Sequence, residues 1–581
     1  MPHHPEAIEL VRRSAALLNA GDRGAAAEML REALAIEPRV AAWHCDLAVL
    51  DQTAGRIEQA EAEYRRAVEC DSSLRPAWYN LGCLLNEQDR EAEGLECFQQ
   101  AVRLDSNQAA AHHNLAQSLF NLGHTDEAIA HYRRAAALGG GTKPETMLAL
   151  SIAVSPTATP REVFETRRAW SRRHLPRADR SPIAVGASGA DSPNLCGSSL
   201  AVSRVALAAA PPSAESPGRP LRLGYVSAYF DYPNWMKPVW PVINSHDRRQ
   251  FELFLYSDGR NESLPPGYEP NPADRVHFTA SLDNAVLANL IASHGIDVLV
   301  DLNGFSRLQR LPLFAFRPAA LNVGWFNMFA TTGMEAFDYL IGDHTVLAPG
   351  DEADYCEKLV RLDGCYLAFA VEYAVPPVVP LPCLAGRPFT FGSLASLYKL
   401  TPQVVALWSR VLEQSPGSRL LLRNQGLRSA GNRRHLAARF IRHGIAADRL
   451  ELLGPTDHFQ FLQTYDAIDL ALDPWPYNGG TTTSEALWQG VPVASIRGDR
   501  WTSRVSASLL TAAGLSEFIA SDVESLVRLA SAAAKDPGRL AGLRGELREQ
   551  LRRSPACDTN GLTRQLEFAY RRMRLEAKPN D

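Results

Sequence analysis

The chain has 581 residues, more than one hydrophobic core ordinarily serves, so about three or four domains are expected. Apolar content of 46% and charged content of 22% are those of an ordinary globular protein. Sixty basic against 65 acidic residues, net charge −5, argue against a bulk basic face for nucleic acid or an anionic membrane, leaving room for a local phosphate cleft. The nine cysteines are scattered and never spaced C-x-x-C, which suits a reducing compartment and disfavours a disulfide framework or a structural zinc site. The start, MPHHPEAIEL, lacks a charged-then-apolar signal pattern, and no apolar run approaches the ~18 residues that span a bilayer. A cytoplasmic protein is expected.

A step of 34 residues organises the first quarter. Leu47, Leu81 and Leu115 are in register, as are Ala60, Gly94 and Ala128, then Tyr64, Phe98 and Tyr132, then Ala67, Ala101 and Ala135. Ala26, Leu30 and Ala33 extend the columns backward, with Pro38 at the turn. This period and these residue types are the tetratricopeptide signature, in which antiparallel helix pairs pack through the small positions and stack into an α-solenoid. About four repeats over residues 1–140 are expected. The concave face of such a stack suits a protein partner; a structural spacer or dimerisation arm is the alternative, and homo-oligomerisation stays open.

Residues 141–176 read as a helical cap on the solenoid, and 177–220, rich in Ser, Ala, Gly and Pro, as a flexible linker. From Leu221 short apolar runs alternate with helical segments: LRLGYVS, FELFLYS, IDVLVDL and AALNVGW, then from about Pro388 FTFGSL, SRLLLR, LELLG, IDLALD and VPVASI. That alternation predicts two α/β units, 221–380 and 381–581, each a parallel sheet covered on both faces, with a ligand cleft at the strands' carboxyl ends.

The most specific stretch is DPWPYNGGTTTSEALWQGVPV, Asp473–Val493. A strand ends at Asp473, Gly479 and Gly480 make a turn, and Thr481, Thr482 and Thr483 open a helix with Glu485 expected in its first turn. Free amides and hydroxyls at a helix start suit a phosphate, and the Glu485 carboxylate suits a ribose diol. Thr followed shortly by Glu also resembles a capping box. In FTFGSLASLYKLTP, Lys399 stands before a second helix, where its ammonium can meet a phosphate as a point charge. No paired His, Asp or Glu cluster at metal-ligand spacing appears, so no metal or cofactor is expected and chelation by EDTA should leave activity intact.

In order along the chain, the repeats, LRLGYVSAYF, GIDVLVDLNGF, FRPAALNVGW, TTGMEAFDYLIGD, GSLASLYKLTP, DPWPYNGGTTTSEALWQGVPV and SRVSASLLTAAGL resemble the O-linked N-acetylglucosamine transferase and SPINDLY family of protein glycosyltransferases, from about residue 20 to 575, and the motifs of the C-terminal half look closer to the SPINDLY branch. The resemblance implies a GT-B fold of two Rossmann-like lobes. It also implies a nucleotide-sugar donor held mainly by the C-terminal lobe, and inverting, metal-free transfer to Ser or Thr of a protein docked on the repeats. Carried over, Lys399 matches the lysine at the donor diphosphate, Thr481 and Thr482 the phosphate-binding threonines, and Glu485 the acidic residue on the ribose. Ser396 and His458 fall near donor-contacting positions, and Gly479 and Gly480 belong to the same turn. Lys237 takes the place of a histidine once favoured as catalytic base, Gly480 replaces another beside the phosphate, and Asn327–Gly333 replaces a loop that shapes the sugar and acceptor pocket. These departures leave open a fucose donor, as in SPINDLY-type members, or a nonulosonic-acid donor, as in repeat-containing relatives that modify flagellin. They also leave open a catalytically inactive repeat scaffold.

Overall fold

The computed structural model describes residues 3–175, 219–259, 263–264 and 267–577. The chain divides into two compact units, one comprising Met1–Pro144, Ser396–Thr401 and Asn424–Arg439, the other Glu145–Ala395, Pro402–Arg423 and Phe440–Asp581.

The first unit carries four helix pairs: α1 (Pro5–Asn19) with α2 (Arg23–Ile36), α3 (Ala41–Thr53) with α4 (Ile57–Cys70), α5 (Arg75–Glu87) with α6 (Glu91–Leu104), and α7 (Ala109–Asn121) with α8 (Thr125–Ala137). The columns read from the sequence are its core. Tyr64, Phe98 and Tyr132 are buried beside Ala60, Ala67, Ala101, Ala128 and Ala135. Gly94 replaces alanine in its column for a packing reason: a Cβ there would lie 2.1 Å from Asn86 Oδ1 and 3.2 Å from the Gly82 carbonyl oxygen.

Two later segments complete this unit, a contribution that the 34-residue period gives no sign of. Asn432 donates to the Asp89 carbonyl (3.1 Å) and Glu91 Oε2 (2.6 Å) and accepts from the Ala92 amide (2.9 Å). Buried Arg439 donates to the carbonyls of Leu122 (2.8 Å) and Leu400 (2.6 Å), and Phe120 stacks on Tyr398 with centroids 5.6 Å apart.

In the second unit, β1 (Leu221–Ser227), β2 (Phe251–Ser257), β3 (Arg275–Phe278), β4 (Val298–Asp301), β5 (Leu321–Gly324), β6 (Tyr339–Asp343) and β7 (Lys358–Leu362) form one parallel sheet in the order β3-β2-β1-β4-β5-β6-β7. Leu223, Tyr225, Val298 and Val300 face one buried layer, Val226 and Leu299 the other, so both faces are covered. The second sheet, β8 (Thr390–Ser393), β9 (Arg419–Arg423), β10 (Leu450–Leu453), β11 (Leu470–Leu472), β12 (Val493–Ile496) and β13 (Ile519–Ala520), runs β10-β9-β8-β11-β12-β13, also parallel. The side on which successive strands are added switches between β1 and β4 and between β8 and β11, while all strands stay parallel. Crevices at the carboxyl ends of such strand pairs are where open α/β sheets bind ligands.

Two sequence-based divisions need correction. The helix Pro160–His174, expected to cap the repeats, belongs to the second unit: buried Arg167 donates to the carbonyls of Ala149 (3.0 Å) and Thr331 (2.8 Å), and Trp170 packs in the first lobe's core. The last helix, Thr559–Glu576, expected with 381–581, covers the first sheet instead, because Leu562, Leu566, Tyr570 and Met573 form a stripe against that core. The expected linker, 177–220, lies outside the described residues apart from 219 and 220. The eight described cysteines are free thiols. Among the described residues no helix is long and apolar enough to cross a membrane.

Candidate functional site

The second sheet delivers the site. β11 and β8 end side by side at Leu472 and Ser393, and the chain then turns through 473–480 into the helix Thr481–Trp488. Asp473 holds that turn: Oδ1 accepts from the Gly479 amide at 2.7 Å and Oδ2 from the Ser495 hydroxyl at 2.6 Å. Thr483 is tied to Ser506 Oγ (2.8 Å), and the Tyr465 hydroxyl donates to the Thr482 carbonyl (3.0 Å).

The helix cap is Gly480, which has no side chain to accept from the first-turn amides. Helix starts leave those amides without intrahelical partners, so an anion is the natural acceptor here. The capping box that the Thr-to-Glu spacing suggested does not form, because Glu485 sits at the fifth helical position, on the second turn, and is engaged elsewhere.

Its partner comes from the other lobe. After β1 the chain folds through a short turn, Pro233–Met236, that places Lys237 against Glu485 with Nζ 2.6 Å from Oε1. His458, first residue of a helix capped by Asp457, completes the cluster, its Nε2 lying 2.9 Å from Lys237 Nζ and 3.0 Å from Glu485 Oε1. Tyr373 supplies a wall: Lys237 Nζ lies 4.3 Å from its ring centroid, and the His458 ring meets it edge-on. Lys237 and Glu485 are only 8% and 6% exposed, so this is a buried ion pair. Burial draws the lysine pKa below its ordinary value, with Glu485 opposing the shift.

Two hollows flank the helix. One is lined by Lys237, Tyr373, Thr481, Ser484, Glu485 and Trp488, the other by Ser393, Tyr465, Asp473, Pro474, Thr482 and Thr483. The sequence-predicted residues Lys237, His458, Gly479, Gly480, Thr481, Thr482 and Glu485 thus gather in the second unit. Ser396 and Lys399 belong to the first, where Ser396 precedes the single turn Leu397–Lys399 and its carbonyl accepts from the Lys399 amide at 3.0 Å.

The loop Asn327–Gly333 is largely buried. Thr331 and Thr332 spend their hydroxyls on buried Glu357, and Asn327 donates to the Asn303 carbonyl and to Ser306, so these groups are committed to the fold. Phe329 touches Tyr477 edge-to-face at 5.4 Å, inside the DPWPYNGG turn. Sequence reasoning missed Tyr373, Ser484 and Trp488. Ser484 and Trp488 lie in the quoted motif, while Tyr373 stands in an irregular connection with no local signal.

Among the described residues no group of three or more His, Cys, Asp or Glu side chains could hold a metal ion.

Repeat helices together with two parallel-sheet lobes define a tetratricopeptide-bearing protein of the GT-B class. The family model of glycosyl transferase family 41 matches residues 184–371 and 384–566, and tetratricopeptide models match 17–81, 76–108 and 109–140. The chain belongs to glycosyl transferase family 41. It is 33% identical over 370 residues to a probable UDP-N-acetylglucosamine–peptide N-acetylglucosaminyltransferase, SPINDLY, of Hordeum vulgare, covering 61% of this chain and 38% of that one. It is 29% identical over 367 residues to the probable enzyme SEC of Arabidopsis thaliana, covering 61% and 37%. The chain therefore spans less than half the length of these curated relatives. A solved O-GlcNAc transferase mutant from Thermobaculum terrenum superposes with a TM-score of 0.72 at 31% identity, over 93% of this chain and 98% of that one.

Proposed function

We propose that this chain is a cytoplasmic protein O-glycosyltransferase. It moves a sugar from a nucleotide donor to Ser or Thr of a polypeptide docked on the repeats, with inversion and without a metal. N-acetylglucosamine from its uridine diphosphate ester is the first donor to test, because the matched relatives are named for it. The observation that carries the reading is the uncapped helix start at Thr481, with buried Glu485 one turn further, in a chain whose two lobes both match the family model.

In this reading the acceptor hydroxyl attacks the anomeric carbon from the face opposite the nucleotide while the bond to the diphosphate breaks. The most expensive event is charge gathering on the departing phosphate. Positive charge and amides fixed in advance stabilise that state more than the bound donor. The Thr481 and Thr482 amides hold the diphosphate, Lys399 neutralises the leaving group, and Glu485 binds the ribose. Lys237, already paired with Glu485, serves as an anchoring cation.

The test is intact-mass spectrometry of a protein target co-expressed with the wild type or with Lys399→Ala. Wild type should add the mass of an N-acetylhexosamine. Lys399→Ala should lower turnover about a hundredfold or more, the scale for losing one electrostatic partner of a transition state. Near-wild-type transfer by the variant removes Lys399 from the mechanism.

A further inference from the structure

The contact between Lys237 and Glu485 joins the two lobes at the nucleotide hollow, and its geometry is one-sided. Both Lys237 Nζ and His458 Nε2 address Oε1 of Glu485, at 2.6 and 3.0 Å. Oε2 makes no hydrogen bond among the described residues, on a side chain whose residue also lines the hollow beside Thr481 and Ser484. An ammonium is a compact point charge that can satisfy one oxygen and leave the other open, whereas a guanidinium fork takes both. Removing two charges from water is costly, so a buried pair is weak evidence for stability and asks for another reason.

We propose that Lys237 is a positioning residue for nucleotide recognition: by holding Glu485 Oε1 from the opposite lobe, it fixes the carboxylate so that Oε2 is presented to a ribose hydroxyl. Preference for a ribonucleotide over its dideoxy form then depends on a residue that does not touch the nucleotide. Tyr373 and His458 confine the ammonium to this position, the ring under Nζ and the imidazole beside it. The proposal rests on the reading that Glu485 receives the ribose.

Calorimetric titration of the full-length protein with UDP, GDP and their 2′,3′-dideoxy forms tests both statements separately. Wild type should prefer one ribonucleotide over its dideoxy form about tenfold or more, the scale of a hydrogen bond to a charged group. Glu485→Gln should lose most of that preference. Lys237→Met should bring it within about threefold of unity. Lys237→Arg keeps the buried charge balance, so it serves if the methionine variant does not fold; its fork should occupy Oε2 and erase the preference as well. If wild type shows no preference, or Glu485→Gln keeps it, the ribose reading fails. If Glu485→Gln loses the preference while a folded Lys237 variant retains it, the ribose reading stands and the positioning role is overturned.

Discussion

Gly479 and Gly480 are neighbours with opposite tolerances, and the difference tests the proposed phosphate site more sharply than either threonine does. A Cβ on Gly479 would lie 2.5 Å from Thr483 Oγ1, 2.6 Å from Thr482 Oγ1 and 3.2 Å from Asp473 Oδ1. One on Gly480 would meet nothing nearer than Val505 at 3.8 Å, and its backbone φ of −124° lies outside the left-handed region that favours glycine. Overpacking of this kind costs roughly 1–3 kcal/mol, and here the strain falls on the hydroxyls and amides of the helix start. Gly479→Ala should weaken UDP binding about tenfold or more by calorimetry, while Gly480→Ala should stay within about threefold; equal effects would place the anion elsewhere. The glycines, the threonines and Glu485 were legible because one motif carries strand end, turn and helix start. The pairing of Lys237 with Glu485 was not, since it joins residues 248 apart and only the folded crevice brings them together. For the same reason the sequence offered Lys237 as a base candidate and gave no sign that a carboxylate already holds it.

Among elements, the single turn Leu397–Lys399 is held by the repeats. Gly123, in the loop between α7 and α8, has φ +87°, and a Cβ there would lie 2.4 Å from the Leu400 carbonyl oxygen and 3.2 Å from that of Leu397. Arg439 fixes the same Leu400 carbonyl and the carbonyl of Leu122, next to Gly123. Gly123→Ala must therefore adopt a left-handed conformation that disfavours a side chain and displace the Lys399 turn as well. It should lower the melting temperature, by roughly 1–3 kcal/mol of stability, and reduce turnover by more than its effect on folding. A variant with normal turnover would mean that Lys399 does not depend on its turn. The helices and most strands followed from apolar periodicity, since buried runs such as FELFLYS and VLVD leave little choice. Four strands were missed for physical reasons: β3 and β7 are half-exposed sheet edges, where the pattern RVHF or KLVRL carries charges, β13 is a two-residue edge strand too short to show a pattern, and β6 lies inside the motif TTGMEAFDYLIGD, whose glycine and acidic residues mask it.

For the whole molecule, the natural test of docking on the repeats is to delete them, and the architecture says where that deletion can be made. The 34-residue columns describe the repeats as self-contained, but Ser396–Thr401 and Asn424–Arg439 share their compact unit. Asn432 bonds to the loop and first turn that open α6, Arg439 to the end of the α7 loop, and Tyr398 stacks on Phe120 of α7. Removing residues 1–144 strips the partners of all three, leaves buried Asn432 and Arg439 with unmet hydrogen bonds, and unseats the turn that carries Lys399. Such a protein should lose donor hydrolysis along with target modification, and so says nothing about docking. Removing only 1–36 is different. The partners of α1 and α2 are each other and α3, through Leu10, Leu30 and Leu34 against Trp43, Leu47 and Leu50, and no bond to 396–439 is lost. With Trp43 and Leu47 made polar to protect the new end, which a solenoid needs for solubility, the shortened chain should keep slow hydrolysis of the donor within about twofold of wild type. Modification of the protein target, read as intact mass, should fall severalfold if the repeats hold the acceptor. Unchanged modification would put acceptor recognition on the lobes, and loss of hydrolysis would show that α1 and α2 support the catalytic part after all.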